Sequence, residues 1–289
     1  MGEPIMKKAK GDGVNIQFAI WESEGPPALC IHGLTANCRC WDRIAGILEP
    51  QHHVMAMDLR GRGLSDKPPK GYSVDHHVRD VSCLLKDQGL DRLVLIGHSL
   101  GAYISLAFAA RYPNQVDRLI LIDGAGDLSS AQWDQIEGII KPSLDRLGQV
   151  LPSFEDYVAP LKQVPFLQPW SEFLDTFFRY EIEGMDGGFR SRIRAEHIRE
   201  EIFNIRQVQA SQFYPRISCP VLILRATEGI LSQEDLVLPE AAAARMLKEI
   251  PDARCVEVNG SNHYGIIFQP NDIRDRAILT FLRESTSFG

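Results

Sequence analysis

Leu93-Val94-Leu95-Ile96-Gly97-His98-Ser99-Leu100-Gly101-Ala102 decides the reading of this chain. A short apolar run of strand character ends in Gly-X-Ser-X-Gly, and a helix-like run follows from Ala102 to Tyr112, stopped by Pro113. A serine between strand and helix in that pattern is set on a sharp turn that lifts its hydroxyl clear of the sheet. The two glycines fit the physical need, because such a bend leaves no room for Cβ atoms beside the serine. Ser99 is therefore the first candidate for chemistry.

Outward from the turn, short apolar runs alternate with helical patterns. This predicts an α/β fold with a mostly parallel sheet flanked by helices. Asn15 to Trp21 reads as an early edge strand, and Ala28–Ile31, Val54–Met57 and Leu119–Ile122 as buried strands. Val74, Val78, Val81, Leu84 and Leu85 share one helical face. From about Asp127 to Tyr214 this rhythm stops, and aromatic residues and prolines punctuate what reads as several helices. It resumes with Val221–Leu224, a helix over Glu240–Ile250, the strand Cys255–Val258 and a last helix over Asp272–Leu282. The expected organisation is a core of 1–126 and 215–289 carrying an inserted helical cap of 127–214.

Bulk properties narrow the function. The chain has 289 residues, 44% hydrophobic and 24% charged, with a net charge of −7. No basic stripe points to nucleic acid, no apolar stretch is long enough to span a bilayer, and no leader-like apolar segment precedes the core. The six cysteines include no C-x-x-C and no zinc-like spacing. Reduced thiols, a cytoplasmic location, no metal or organic cofactor, and a monomer or homodimer acting on a small molecule are the expectations.

Ligands bind at the carboxyl ends of strands in open parallel sheets. His32, Asp58, Ser99, Asp123 and the segment after Leu224 all fall there. A serine hydroxyl needs a base, and His263, on the polar loop after Cys255–Val258, is the candidate. His98 adjoins Ser99 but points along the backbone of the strand and turn. Asp58 to Ser65, with two glycines and two arginines, suits a loop tied down by charge-assisted hydrogen bonds. In the inserted segment, Trp133, Trp170, Phe173 and Phe177 are candidates for an apolar pocket. The Gly187-Gly188-Phe189-Arg190-Ser191-Arg192-Ile193-Arg194 stretch could offer Arg192 to a substrate carboxylate, or simply form a solvated surface.

Taken together, His32-Gly33 after a strand, Trp41, Asp58-Leu59-Arg60-Gly61-Arg62-Gly63-Leu64-Ser65, the Ser99 turn and Asn262-His263-Tyr264 resemble the capped serine hydrolases of the α/β-hydrolase superfamily. The resemblance covers nearly the whole chain. It implies Ser99 as nucleophile, His263 as general base, and an oxyanion hole from the backbone N–H groups of Leu34 and Leu100, with His32 shaping that loop or lining the substrate site. The usual triad acid falls at Gly229, which has no side chain. Asp123, an acid position used by some members, is preferred, and Glu228 is the alternative. The implied activity is cleavage of a small carboxylic ester, lactone or amide. A C–C bond hydrolase of a vinylogous diketo acid, and a noncatalytic receptor on the same fold, are the other readings.

Overall fold

The computed structural model describes residues 2–284. Residue 1 and residues 285–289 of the expected core lie outside the described residues. An eight-stranded sheet runs in the order β1 (Ile5–Lys10), β2 (Asn15–Trp21), β4 (His53–Met57), β3 (Pro27–Ile31), β5 (Leu93–His98), β6 (Val116–Ile122), β9 (Val221–Ala226) and β10 (Ala253–Val258). Only β1 with β2 and β2 with β4 pair antiparallel; every other pair is parallel. This is the α/β fold with a mostly parallel sheet that the alternating runs predict, in the α/β-hydrolase arrangement that the resemblance implies. Asn15–Trp21 is not an edge strand, however, because Ile5–Lys10 covers it. The Ile5–Lys10 segment carries three lysines, and its mostly exposed side chains leave little apolar signal.

Period-two alternation divides the strand side chains between two cores. Leu29, Ile31, Leu93 and Leu95 face α2 (Val74–Asp87), α3 (Leu100–Arg111) and α8 (Glu240–Glu249). Ala28, Cys30, Val94 and Ile96 face α1 (Asp42–Leu48), α9 (Gly265–Phe268) and α10 (Asp272–Arg283). β5 is buried along its whole length, which makes its carboxyl end a rigid platform.

Between β6 and β9 lie α4 (Ser130–Arg146), α5 (Phe154–Val158), α6 (Glu172–Glu181) and α7 (Ala195–Ile205). A small antiparallel hairpin of β7 (Ile182–Met185) and β8 (Gly188–Ser191) joins α6 to α7. Asp186 and Gly187 form the turn of that hairpin, and Gly188 opens its second strand, so the arginine-rich stretch begins in a hairpin. Among the described residues no helix is long and apolar enough to cross a membrane.

Candidate active site

The site begins with a backbone bend. Ser99 follows β5 directly at φ 55°, ψ −121°, outside the left-handed helical well, a conformation that costs on the order of 1–3 kcal/mol unless its surroundings impose it. The surroundings do. A Cβ on Gly97 would lie 2.2 Å from the Gly101 carbonyl oxygen, and one on Gly101 would lie 2.0 Å from that of Ile31. Glycine at both positions lets α3 start immediately and pack against β3. Ser99 N donates to Ile122 O at 3.0 Å, pinning the bend to the neighbouring strand. Leu100 is the first residue of α3, and amides in a helix's first turn have no intrahelical acceptor.

A second bend ends β6. Asp123 has φ 45°, tolerable for aspartate, and its amide donates to Leu224 O at 2.8 Å. One carboxylate oxygen, Oδ1, accepts from the Ala226 amide at 3.1 Å. The other, Oδ2, lies 2.7 Å from His263 Nδ1. Both side chains are at least nine-tenths buried. A proton on Nδ1 is fixed by that contact, which leaves Nε2 as the basic nitrogen.

Glu228 is placed elsewhere. Its side chain is half-exposed and takes a hydrogen bond from Gln233, so the alternative acid is not brought to His263. Nor is Asp235, whose carboxylate accepts from the amides of Ile230, Leu231 and Ser232 and shapes that loop.

His98 Nε2 donates to the carbonyl oxygen of His263 at 3.0 Å, and the two rings sit 4.5 Å apart. Burial, with His263 beside it, holds His98 well below the ordinary histidine pKa. It is a neutral brace for the His263 loop. His32 does a similar job on the other side of the site. Its Nδ1 donates to Gly33 O at 2.7 Å and its Nε2 accepts from Leu59 N at 3.0 Å; burial pushes its pKa down to about 3.

Ser99, His263, Leu34, Leu100 and Trp133 line one cavity of about 480 Å³. Its walls are mainly aliphatic and aromatic and come from both the core and the inserted segment. Phe177 also lines it, but four expected contributors, His32, Trp170, Phe173 and Arg192, do not; the Phe173 ring lies instead under the Arg43 guanidinium at 4.3 Å. His32 is fully buried in the bonds just described. Trp170 stacks on Phe178 at 5.5 Å and donates from Nε1 to Asp175. Arg192 donates from Nε to Tyr180 O and pairs with Glu183, so its guanidinium serves the hairpin rather than a substrate carboxylate.

The Asp58–Ser65 loop is tied down as its charges predict. Buried Asp58 accepts from the Cys38 and Leu64 amides and from Tyr180 Oη of α6 at 2.6 Å. Fully buried Arg62 reaches Glu201 of α7, whose Oε2 also meets His77 Nε2 at 2.7 Å. Two polar groups at the cavity, Arg146 and Glu181, escape the sequence reading. One signal for Glu181 exists: it falls three and four residues after Phe178 and Phe177, a charge on an apolar helical face.

A strained serine at a strand-to-helix bend, sharing a cavity wall with a histidine that a buried aspartate holds from behind, defines a serine-hydrolase type of site. The chain belongs to the alpha/beta hydrolase fold family, whose model matches residues 26–270. Over 262 residues it is 27% identical to the 2-(acetamidomethylene)succinate hydrolase of Mesorhizobium japonicum, covering 90% of this chain and 89% of that protein. It is also 27% identical over 262 residues to a serine hydrolase-like protein of Danio rerio, covering 84% of this chain and 78% of the other. The crystal structure of E-2-(acetamidomethylene)succinate hydrolase superposes with a TM-score of 0.84 at 25% identity, covering 97% of this chain and all of that one.

Proposed function

We propose that this protein is a serine hydrolase that cleaves a carboxylic ester, lactone or amide through an acyl-enzyme on Ser99. The observation that carries the reading is the 2.7 Å contact between Asp123 Oδ2 and His263 Nδ1, with His263 and the strained Ser99 on the same cavity wall. His263 Nε2 takes the Ser99 proton as Oγ attacks the substrate carbonyl carbon. Asp123 holds the tautomer and stabilises the imidazolium. The Leu34 and Leu100 amides receive the oxyanion. Collapse expels the alcohol or amine, which leaves with the proton from His263. Water, deprotonated by the same histidine, then frees the acid and restores Ser99.

The cavity's volume and apolar walls favour an acyl group longer than the small acids the sequence resemblance implies. The inserted segment acts as a cap that supplies most of that specificity. The test is hydrolysis of a p-nitrophenyl ester series, acetate to decanoate, by wild type and Ser99→Ala, with fluorophosphonate labelling of Ser99. Ser99-dependent turnover that rises with chain length supports the reading. A folded protein that neither labels nor turns over would sink it and favour a receptor role. Labelling without ester turnover would direct attention to C–C bond substrates.

A further inference from the structure

The cavity holds a polar group that the acyl-transfer steps do not use. Arg146, at the end of α4, and Glu181, at the end of α6, are the charged Arg or Glu side chains among the residues lining it. Arg146 Nη1 lies 3.6 Å from Glu181 Oε1, close enough to neutralise charge but too long for a hydrogen bond. That same oxygen accepts from Tyr157 Oη at 2.5 Å, and the guanidinium lies 4.6 Å over the Tyr157 ring. Two donors, Arg146 Nε and Nη1, are buried and meet no acceptor from the protein. Buried donors are nearly always satisfied, because an unmet one suffers its full loss of solvation. In a substrate cavity, the missing acceptor is most economically an atom of the substrate.

The charge balance selects which acceptor. Glu181 already offsets Arg146. A substrate carboxylate would place a second negative charge in an apolar pocket with one cation, and its desolvation would go uncompensated. A neutral oxygen satisfies the two N–H groups without that cost. We infer that Arg146, oriented by Glu181 and Tyr157, is a specificity residue that takes an uncharged oxygen, a carbonyl or hydroxyl carried on the substrate's acyl chain. The substrate class is then an oxo- or hydroxyacyl ester, lactone or amide rather than an acidic one. This rests on the acyl-enzyme reading above.

The test compares kcat/KM for p-nitrophenyl octanoate, its 4- to 7-oxo analogues and the mono-p-nitrophenyl ester of suberate. Wild type, Arg146→Met, Arg146→Lys and Glu181→Gln are measured. The best oxo ester should exceed octanoate by roughly 10-fold or more, the range of a hydrogen bond to a charged group. That advantage should vanish in Arg146→Met. It should shrink in Arg146→Lys, which keeps the charge but loses the fork and so covers a failure of the first variant to fold. Glu181→Gln should raise the suberate half-ester relative to octanoate, a switch that a merely structural ion pair would not produce. Octanoate turnover with no oxo preference at any position, an oxo preference that survives Arg146→Met, or a wild-type preference for the suberate half-ester overturns the inference while leaving the acyl-enzyme reading intact. Loss of Ser99-dependent turnover on every ester overturns both.

Discussion

Arg62 donates from Nε to the carbonyl oxygen of Leu34 at 3.0 Å. Leu34 N–H is a proposed oxyanion donor, so this buried guanidinium fixes the direction of a loop that must not reorient during the reaction. Its Nη2 donates to Glu201 of α7 at 3.0 Å, which couples that loop to the inserted segment. Arg62→Lys should lower kcat about tenfold with little change in KM, since a positioned donor acts on the transition state. Steady-state kinetics decides it. A raised KM with unchanged kcat would place Arg62 in substrate binding instead.

Asp123 and Glu228 separate cleanly by mutation. Asp123→Asn should reduce kcat by about 10⁴-fold, as loss of the tautomer-fixing acid does in serine proteases. Glu228→Gln, on a half-exposed side chain engaged with Gln233, should remain within about twofold of wild type, the behaviour of surface changes. The reverse pattern, read from kcat on any turned-over ester, would assign the acid to Glu228.

Acid sensitivity should report on Glu201. Burial would raise its carboxyl pKa, but the His77 and Arg62 charges outweigh burial and hold it at about 2. A folded-state value below the unfolded one means that the stabilisation is present above about pH 4.5 and is lost as pH falls toward 2. In urea unfolding, Glu201→Gln should be destabilised at pH 7, and the gap to wild type should close between pH 4.5 and 2.5. A gap independent of pH would mean that packing, not charge, is what the substitution disturbs.

Thiol chemistry gives an independent check on burial. Cys30, Cys38, Cys40 and Cys219 are buried, and Cys83 and Cys255 are half-buried. Burial raises the pKa of all six thiols, and the thiolate is the reactive form. Ellman's reagent should therefore titrate at most Cys83 and Cys255 in the native protein, and all six after unfolding. Rapid reaction of more than two native thiols would contradict this packing.

The parts legible in the sequence are those in which local and long-range demands coincide. β5, the Ser99 bend and α3 are contiguous, so periodicity and glycine placement describe them directly. Cys255–Val258 and the His263 loop follow the same logic. Ile5–Lys10 was hidden because an exposed edge strand needs no apolar alternation. The choice between Asp123 and Glu228 depends on where two bends meet in space, which spacing along the chain does not encode. Arg192 and Trp170 have the right chemistry for a site, but the hairpin and the Trp170–Phe178 stack use them locally. Arg146 meets Glu181 and Tyr157 across three separate helices, and sequence offers only the misplaced charge on α6 as a hint.

On the proposal that Asp123, at the end of β6, is the triad acid, the loop after β9 carries no part of the proton chemistry. Ile230, Leu231 and Val237 of that loop line the cavity, while Asp235 braces it from within through three amides. On that proposal, residues around the brace can diversify to admit new acyl groups without disturbing the Asp123–His263 contact. Such a separation makes the 227–237 loop the natural place for substrate range to drift over evolution, and the first place to randomise when the protein is recruited to a new ester.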